Sequence, residues 1–237
     1  MYSLRSYTFS LHGYGSRVET DISEAIHTDA GQWRIGVLGF HAFNTVKNVI
    51  DKKNNVLTYW AGNRAHTAVI PEGNYDLEAL QEAFQEALPE GETLVLHGEN
   101  ATQRIQLYST ARLDFRVPGS PAGLLGFPSD HVLHPDFWHE SSEPIELLHF
   151  RLVRLHCNVV SGSFEGTGQP STILHEFSPK TPPGFKIIEE PQNVVYLPIN
   201  TPRISHIVVD VTDERNRPLD FGTEHRVDVR LHLQRWV

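Results

Sequence analysis

The sequence predicts an all-β, antiparallel sandwich, and three observations lead to that prediction. Short β-branched and aromatic runs follow one another along the chain, separated by Pro, Asn and Gly. The 15 Pro and 17 Gly of the 237 residues are scattered, which suits many turns and few long helices. The last run alternates cleanly, with four apolar residues on one face of a strand: Val227, Val229, Leu231 and Leu233. Among sandwiches, a jelly roll tolerates a large insert in a loop at one end, so a jelly roll is predicted.

The N-terminal part of the chain is predicted to supply the first strands. Residues Tyr2 to His12 alternate and predict a strand, whereas Val18 to Ala30 is acidic and weakly patterned. That second segment is interpreted as a loop, or as a short strand followed by a short helix. Trp33 to Phe43 is a strong strand, and Gly36 and Gly39 inside it indicate a bulge or close approach by another backbone.

One segment changes to helical spacing and predicts a helix from Leu77 to Leu88, with Asp76 as its N-cap. Its apolar face is expected to pack against strands between residues 92 and 117, as the core of a small lobe: Leu77, Leu80, Phe84 and Leu88. A second, one-turn helix is expected to end at Gly126. Residues 70–127 are therefore predicted to form an inserted α+β lobe, with 1–69 and 128–237 as the jelly-roll scaffold.

The C-terminal third is predicted to be scaffold. A long strand is expected from Leu147 to Val160, and the segment before it, His131 to Glu146, is interpreted as loop. The run from Ile204 to Val211 has an apolar stripe that slips near Ser205, which indicates a bulge. This run and the one from Val227 to Leu233 are predicted to form an antiparallel pair.

Composition and charge limit the classes of function that the chain can have. A net charge of -9 argues against a protein that grips a phosphate backbone, because such proteins carry a basic stripe. Specific nucleic-acid binding is therefore not expected. Apolar runs stay well short of the ~18 residues of a spanning helix, and no secretory signal pattern is evident. A single cysteine, Cys157, excludes a disulfide framework.

The fourteen histidines raise the hypothesis of a metal site. Three of them lie close together beside carboxylates, and imidazole with carboxylate can bind zinc or iron: His131, His134 and His139, with Asp130, Asp136 and Glu140. The spacing fits no standard motif, and the segment is polar. A surface loop is therefore the favoured interpretation, no metal site is predicted, and a cupin-like metalloenzyme is the least favoured hypothesis.

Nucleophilic catalysis has little support in the sequence. His156 is adjacent to Cys157, but neighbouring strand residues point to opposite faces, so this histidine is badly placed to activate the thiol. The chain contains no Gly-x-Ser-x-Gly elbow and no phosphate-binding glycine loop followed by a helix. No catalytic residue, no cofactor and no enzymatic activity are predicted.

Several segments together resemble a known family. They are Trp-Arg-Ile-Gly-Val-Leu-Gly-Phe-His-Ala-Phe-Asn-Thr-Val-Lys-Asn-Val at 33–49, Ile-Pro-Glu-Gly-Asn-Tyr-Asp-Leu-Glu-Ala-Leu at 70–80, Leu-Leu-Gly-Phe at 124–127, and the closing Leu-Pro-Ile-Asn, Leu-Asp-Phe-Gly-Thr-Glu and Val-Arg-Leu-His-Leu-Gln-Arg. From about Trp33 to the C-terminus, the chain resembles the penton-type minor capsid proteins of Polinton/Maverick elements and adintoviruses. These motifs are structural rather than catalytic.

The resemblance implies a single jelly roll, five copies of which fill a vertex of an icosahedral capsid. It implies no catalytic residues, and it implies two partners: further copies of the chain in a homopentamer, and the major capsid protein of the same particle. The protein would be made in the host cell cytoplasm or nucleus and reside in the virion capsid. Because the C-terminal segment is rich in arginine and the rest is acidic, three arginines are candidates for subunit contacts: Arg203, Arg226 and Arg230.

A different class of function stays open beside the capsid hypothesis. A jelly roll can also be a carbohydrate- or receptor-binding module, for which exposed aromatic residues would form a platform. The candidates for such a platform are Phe137, Trp138, Tyr59 and Trp60.

Overall fold

The structure is a computed structural model that describes residues 6–28, 32–99, 101–147 and 150–235. It divides into two compact units, Met1–Val46 with Phe150–Val237, and Lys47–His149. The strands are β1 (Ser6–Tyr14), β2 (Arg17–His27), β3 (Trp33–Phe43), β4 (Val56–Ala61), β5 (Arg64–Val69), β6 (Leu94–Gly98), β7 (Ile105–Ser109), β8 (Arg112–Asp114), β9 (Val132–Leu133), β10 (Phe137–Glu140), β11 (Val153–Cys157), β12 (Ser163–Phe164), β13 (Pro170–Ser171), β14 (Ile173–Phe177), β15 (Lys186–Glu189), β16 (Leu197–Pro198), β17 (Arg203–Thr212) and β18 (Val227–Arg235). The helices are α1 (Leu77–Ala87) and α2 (Ala122–Leu125).

The first unit is a single jelly roll, which confirms the predicted fold class. In the described residues its strands follow one antiparallel path, β14-β11-β17-β2-β1-β18-β3-β15, with β16 added to β3. Strands β1 and β2 pair only beside their turn, at Gly13 with Val18 and Tyr14 with Arg17. The path therefore forms two four-stranded sheets joined by that hairpin, β1-β18-β3-β15 and β2-β17-β11-β14, as in an eight-stranded jelly roll.

The two sheets come together again on the side away from this hairpin. There His175 of β14 contacts Glu189 of β15, with Nε2 and Oε1 3.1 Å apart. Between the sheets, the ring of Phe40 lies 5.5 Å from that of Phe177 and 6.0 Å from that of Phe221, measured between centroids. The predicted alternation of the last strand is confirmed, because its four inward residues are fully buried in this core: Val227, Val229, Leu231 and Leu233.

The predicted pairing of β17 with β18 is wrong. Strand β17 pairs with β2 and β11, and β18 pairs with β1 and β3. The connection between them, residues 213 to 226, is long enough for the β1–β2 hairpin to lie between the two strands. Strands β17 and β18 are therefore consecutive in sequence but belong to different sheets. Both predicted irregularities do occur: the β17 register shifts between Ile204 and His206, and the β18 register shifts opposite Gly39.

The acidic segment interpreted as loop, or as a strand and helix, is the eleven-residue strand β2. Its alternation is weak because only Val18 and Ile26 are buried, and the register with β17 shifts between them, leaving residues 22–25 of β2 without a partner on β17. The first strand begins at Ser6, while the predicted residues before it lie outside the described ranges. Gly36 permits a close approach as predicted, since a Cβ there would lie 2.5 Å from Val194 Cγ1 and 2.9 Å from the Val195 carbonyl oxygen.

The second unit contains α1 and two small antiparallel sheets, ordered β10-β7-β6 and β5-β4-β8-β9 in the described residues. It extends beyond the predicted 70–127 lobe at both ends, because β4 pairs with β8 and β10 pairs with β7. The segment interpreted as loop, His131 to Glu146, therefore contains two short strands, β9 and β10. Of the long strand predicted from Leu147 to Val160, residues 148 and 149 lie outside the described ranges, and the described part forms only the shorter β11.

Helix α1 begins where its cap was predicted, because Asp76 Oδ1 accepts a hydrogen bond from the Ala79 amide at 2.9 Å. Three residues of its predicted apolar face are buried in the core of the unit: Leu80, Phe84 and Leu88. The fourth, Leu77, is half-buried. The polar side does more than face solvent. Oε1 of Gln81 and Oε1 of Gln85 accept from the amides of Leu96 and Leu94, so the helix covers the free edge of β6.

Candidate interaction surfaces

The three clustered histidines do not converge. His131 and His134 are exposed, and the Nε2 of His139 lies 3.0 Å from the carbonyl oxygen of His134. In the described parts of the chain, no group of three or more His, Cys, Asp or Glu side chains is arranged to hold a metal ion. Neither described helix has the length and apolar content that a membrane crossing needs.

Cys157 and His156 lie on opposite faces of β11, as alternation requires. Cys157 is fully buried in the jelly-roll core, and burial raises the pKa of its thiol to about 11. The ring nitrogens of His156 lie 3.3 Å from Thr172 Oγ1 and 3.0 Å from Thr212 Oγ1. Burial, and then the positive charge of Arg154, lower the pKa of this histidine. The two residues therefore form no nucleophile–base pair.

A cavity of about 430 Å³ lies beside His156 and the β12–β13 hairpin. Its polar lining groups are bonded to the chain itself. Glu165 Oε1 accepts from Asn216 Nδ2 at 3.0 Å, and Asn200 Nδ2 donates to the Val160 carbonyl at 3.0 Å. These contacts hold the hairpin against the sheet.

The four aromatic residues of the predicted platform fall into two sheets of the second unit. Phe137 and Trp138 of β10 are 64% and 55% exposed. Tyr59 and Trp60 of β4 are half-buried and already have partners. Tyr59 stacks on His66, with ring centroids 5.5 Å apart, and the Arg112 guanidinium lies 5.0 Å from the Trp60 ring centroid. Of these four residues, only the β10 pair is exposed, and the Trp138 ring lies 5.5 Å from that of Tyr108, measured between centroids.

The three candidate interface arginines are all exposed in the jelly-roll unit, but two have carboxylates of their own chain beside them. Arg226 Nε lies 2.8 Å from Asp228 Oδ1, and Arg230 Nη2 lies 3.0 Å from Glu190 Oε1. Both pairs are solvent-exposed, so each contributes little to the stability of a single chain. Arg203 begins β17 opposite His27.

Asp114 has the strongest electrostatic perturbation in the second unit. Its two carboxylate oxygens accept from Nε and Nη2 of Arg116 at 2.9 and 2.6 Å. These side-chain hydrogen bonds lower the pKa of Asp114 from 3.8 to about 2, although burial opposes the shift. The carboxylate is nearly buried at the end of β8, so the pair holds the following turn against the strand.

Replacing Asp114 by asparagine is expected to lower the free energy of unfolding by about 1 kcal/mol at pH 7, a small value because Arg116 is half-exposed to solvent. Because the pKa of Asp114 is lower in the folded chain than in the unfolded chain, its ionised form stabilises the fold above pH 4. This stabilisation is lost as the pH falls through about 2. The variant and the parent should therefore converge between pH 4 and pH 2 in urea-unfolding titrations. A difference that persists unchanged at pH 2 would contradict this assignment.

Among the described residues, one side of the jelly-roll unit is open, and the sequence did not predict this because the β2 segment was interpreted as a loop or as a short strand followed by a short helix. Beyond their turn, β1 and β2 separate and leave a cleft of about 410 Å³. Its lining combines apolar and aromatic side chains with a polar stretch of β2: Tyr7, Phe9, Ile22, Ser23, Glu24, Ala25, Ile26, His27 and Trp33. The Tyr7 ring stacks on the ring of the buried Trp33, with centroids 5.9 Å apart.

The opposite edge of the same unit exposes apolar side chains. Phe185 is 65% and Ile188 is 60% exposed, at and just before β15, the last strand of its sheet. Ile187 between them is buried, so the strand alternates between core and solvent. Exposed large apolar residues that cluster on one side of a domain are typical of an interaction surface.

Comparison with solved structures finds proteins of similar fold. A chain of the cryo-EM structure of the Sputnik virophage matches with a TM-score of 0.50 and 11% identity, covering 97% of this chain and 98% of that one. The crystal structure of the mavirus penton protein matches with a TM-score of 0.49 and 11% identity, covering 98% of this chain and all of the other. At this identity the likeness to the Sputnik chain establishes a shared fold. No family model matches the chain, and no curated protein sequence does.

Proposed function

We propose that this chain is a structural, penton-type minor capsid protein, five copies of which form each vertex of an icosahedral virus capsid. The observation that carries the proposal is the complete single jelly roll, shared with a chain of a virophage particle over nearly the full length of both. The sequence motifs that resemble penton-type proteins of Polinton elements and adintoviruses support the same assignment. Its place is the virion capsid, and its synthesis is in the host cell.

The chemistry of the described residues favours a structural role over an enzymatic one. Cys157 is buried with a raised pKa, and His156 is bonded to two threonine hydroxyls. Polar groups that line the cavity beside the β12–β13 hairpin are satisfied internally. Two opposite sides of the jelly roll, by contrast, expose apolar surface that association would cover.

The proposed partners are other copies of the chain in a homopentamer and the major capsid protein of the same particle. Within the ring, exposed arginines would lie at the rim of each contact, where they can bind carboxylates of the neighbour. Arg203 is the candidate best placed for this, because Arg226 and Arg230 would have to exchange or share Asp228 and Glu190.

Native mass spectrometry of the purified chain at micromolar concentration tests the proposal. We expect a species with five times the subunit mass, formed more slowly at high ionic strength because salt screens the rim charges. Arg203→Ala is expected to slow assembly, and Arg64→Ala, at an exposed strand position of the second unit, is the matched control. A trimer, or a monomer under every condition, would contradict the proposal.

A second candidate function is a carbohydrate- or receptor-binding module, and the exposed Phe137 and Trp138 favour it. Aromatic faces of this kind stack against sugar rings or fill partner pockets. A glycan array compares the parent with Trp138→Ala. If the parent retains a defined glycan and the variant does not, the result would support this function. If the parent retains no glycan, carbohydrate binding would be contradicted.

A further inference from the structure

We infer that neighbouring copies meet through the two opposite sides of the jelly-roll unit: the β15 side of one copy docks into the β1–β2 cleft of the next. The inference rests on the proposed homopentamer and specifies the contact that closes it. It needs no change in the fold, since both surfaces are already exposed in the single chain.

The cleft side has unpaired strand edges. Strand β1 pairs with β18 from Ser6 to Gly13, and β2 pairs with β17 except at residues 22–25, which line the cleft, whereas β1 and β2 pair with each other only at two positions beside the turn. In the described ranges, the facing edges of both strands therefore lack a strand neighbour along the cleft. Unpaired edges over an apolar floor are a site where another chain can add by strand pairing and side-chain insertion.

The β15 side offers side chains that fit such a cleft. Phe185 and Ile188 project from a short edge strand, and Lys186 lies between them in an exposed position. The apolar lining of the cleft comes from Phe9 and Ile22, which are partly buried against the core, and from the buried ring of Trp33. A cleft of about 410 Å³ is large enough to receive an aromatic or branched aliphatic side chain.

Each of the two sides carries a charge without an ion-pair partner among the described residues, and these two charges are opposite in sign. Strand β2 carries Glu19, Asp21 and Glu24, of which the first two have His206 as a partner within the chain. Glu24 at the cleft has no ion-pair partner among the described residues, and neither does Lys186 on the opposite side. A contact between copies would pair these two charges at its rim while the apolar groups fill its centre.

The position of the two sides determines the kind of assembly. Strands β1 and β15 are the first and last strands of one four-stranded sheet, β1-β18-β3-β15, so their free edges face in opposite directions. A contact between unlike surfaces on opposite sides of a subunit is heterologous, and it closes into a ring when the rotation between neighbours divides the circle. A two-fold dimer cannot satisfy it, because both opposite sides of each subunit would have to face the same partner at once.

Disulfide cross-linking tests the contact directly. The double variant Ser23→Cys with Ile188→Cys puts one thiol on each side, and buried Cys157 should not react in the folded chain. Under mild oxidation we expect a ladder of covalent species up to the pentamer on a denaturing gel. Each single variant should remain uncross-linked, because a heterologous contact brings unlike positions together.

Charge reversal supplies a second, independent readout. Glu24→Lys alone or Lys186→Glu alone should raise the concentration needed for half-assembly by at least about tenfold, through repulsion between neighbours, and the combined variant should restore it. Glu78→Lys, on the exposed face of α1, is the matched control and should leave assembly unchanged.

The outcomes separate the inference from the proposed function. A pentamer that forms in the parent but gives no ladder and no charge-swap rescue would overturn the contact and leave the penton role intact. A chain that forms no ring at all would contradict both. A ladder together with rescue would support the contact as stated.

Discussion

Replacing Gly126 by alanine is expected to destabilise the second unit more than any other single glycine substitution. Gly126 ends helix α2 with φ +75°, a left-handed conformation that residues with a Cβ adopt at a cost. A Cβ at this position would overlap the carbonyl oxygen of Glu143 and lie 3.0 Å from that of Pro144. Because the clashing atoms are backbone, they cannot move aside cheaply. Strain and overpacking together should cost about 2–4 kcal/mol.

Gly123 in the same helix supplies a matched control. A Cβ there would have no neighbour within 4 Å, and alanine favours helix over glycine by about 0.5–1 kcal/mol. Gly123→Ala should therefore leave stability unchanged or raise it slightly. Urea unfolding of both variants, with hydrogen exchange of Lys47–His149 to locate the change, checks the pair. Equal stabilities for the two variants would show that the close backbone approach at Gly126 is absent.

Replacing Phe40 by alanine is expected to cost about 3–5 kcal/mol of unfolding free energy, the usual range for a buried aromatic residue. Phe40 is fully buried on β3 and contacts the rings of Phe177 and Phe221, so it links both sheets of the jelly roll. Its removal leaves a cavity between sheets whose strands cannot easily close it.

Phe164→Ala removes the same atoms from a residue that is exposed on β12, and it should change stability by less than about 0.5 kcal/mol. Chemical denaturation followed by tryptophan fluorescence compares the two variants. A Phe40→Ala protein as stable as the parent would mean that this aromatic cluster does not hold the sheets together.

The features that could be predicted from the sequence are those set by local periodicity and capping. Alternation along β18 identifies its buried face, and the slip near Ser205 corresponds to the bulge in β17. Helix α1 was predictable because an apolar stripe at helical spacing follows Asp76, whose carboxylate caps the first turn. These signals depend on residues within one element.

Features that depend on distant pairing could not be predicted in the same way. Strand β2 has a weak pattern since its neighbours, not its own side chains, determine its position in the sheet. The separation of β17 from β18 depends on where the N-terminal hairpin lies, which no local pattern encodes. The β1–β2 cleft depends on the position of β2 and on that of the N-terminal hairpin, so the sequence does not predict it as a contact surface. The arginines form a charge pattern that is visible in the sequence, and they are therefore the predicted contact residues.

Electron microscopy of the purified protein is the measurement that tests the penton assignment most directly. The assignment predicts two-dimensional class averages with five-fold symmetry, in which five jelly-roll units surround a central axis. Averages collected at several protein concentrations that show only single subunits or three-fold particles would contradict it.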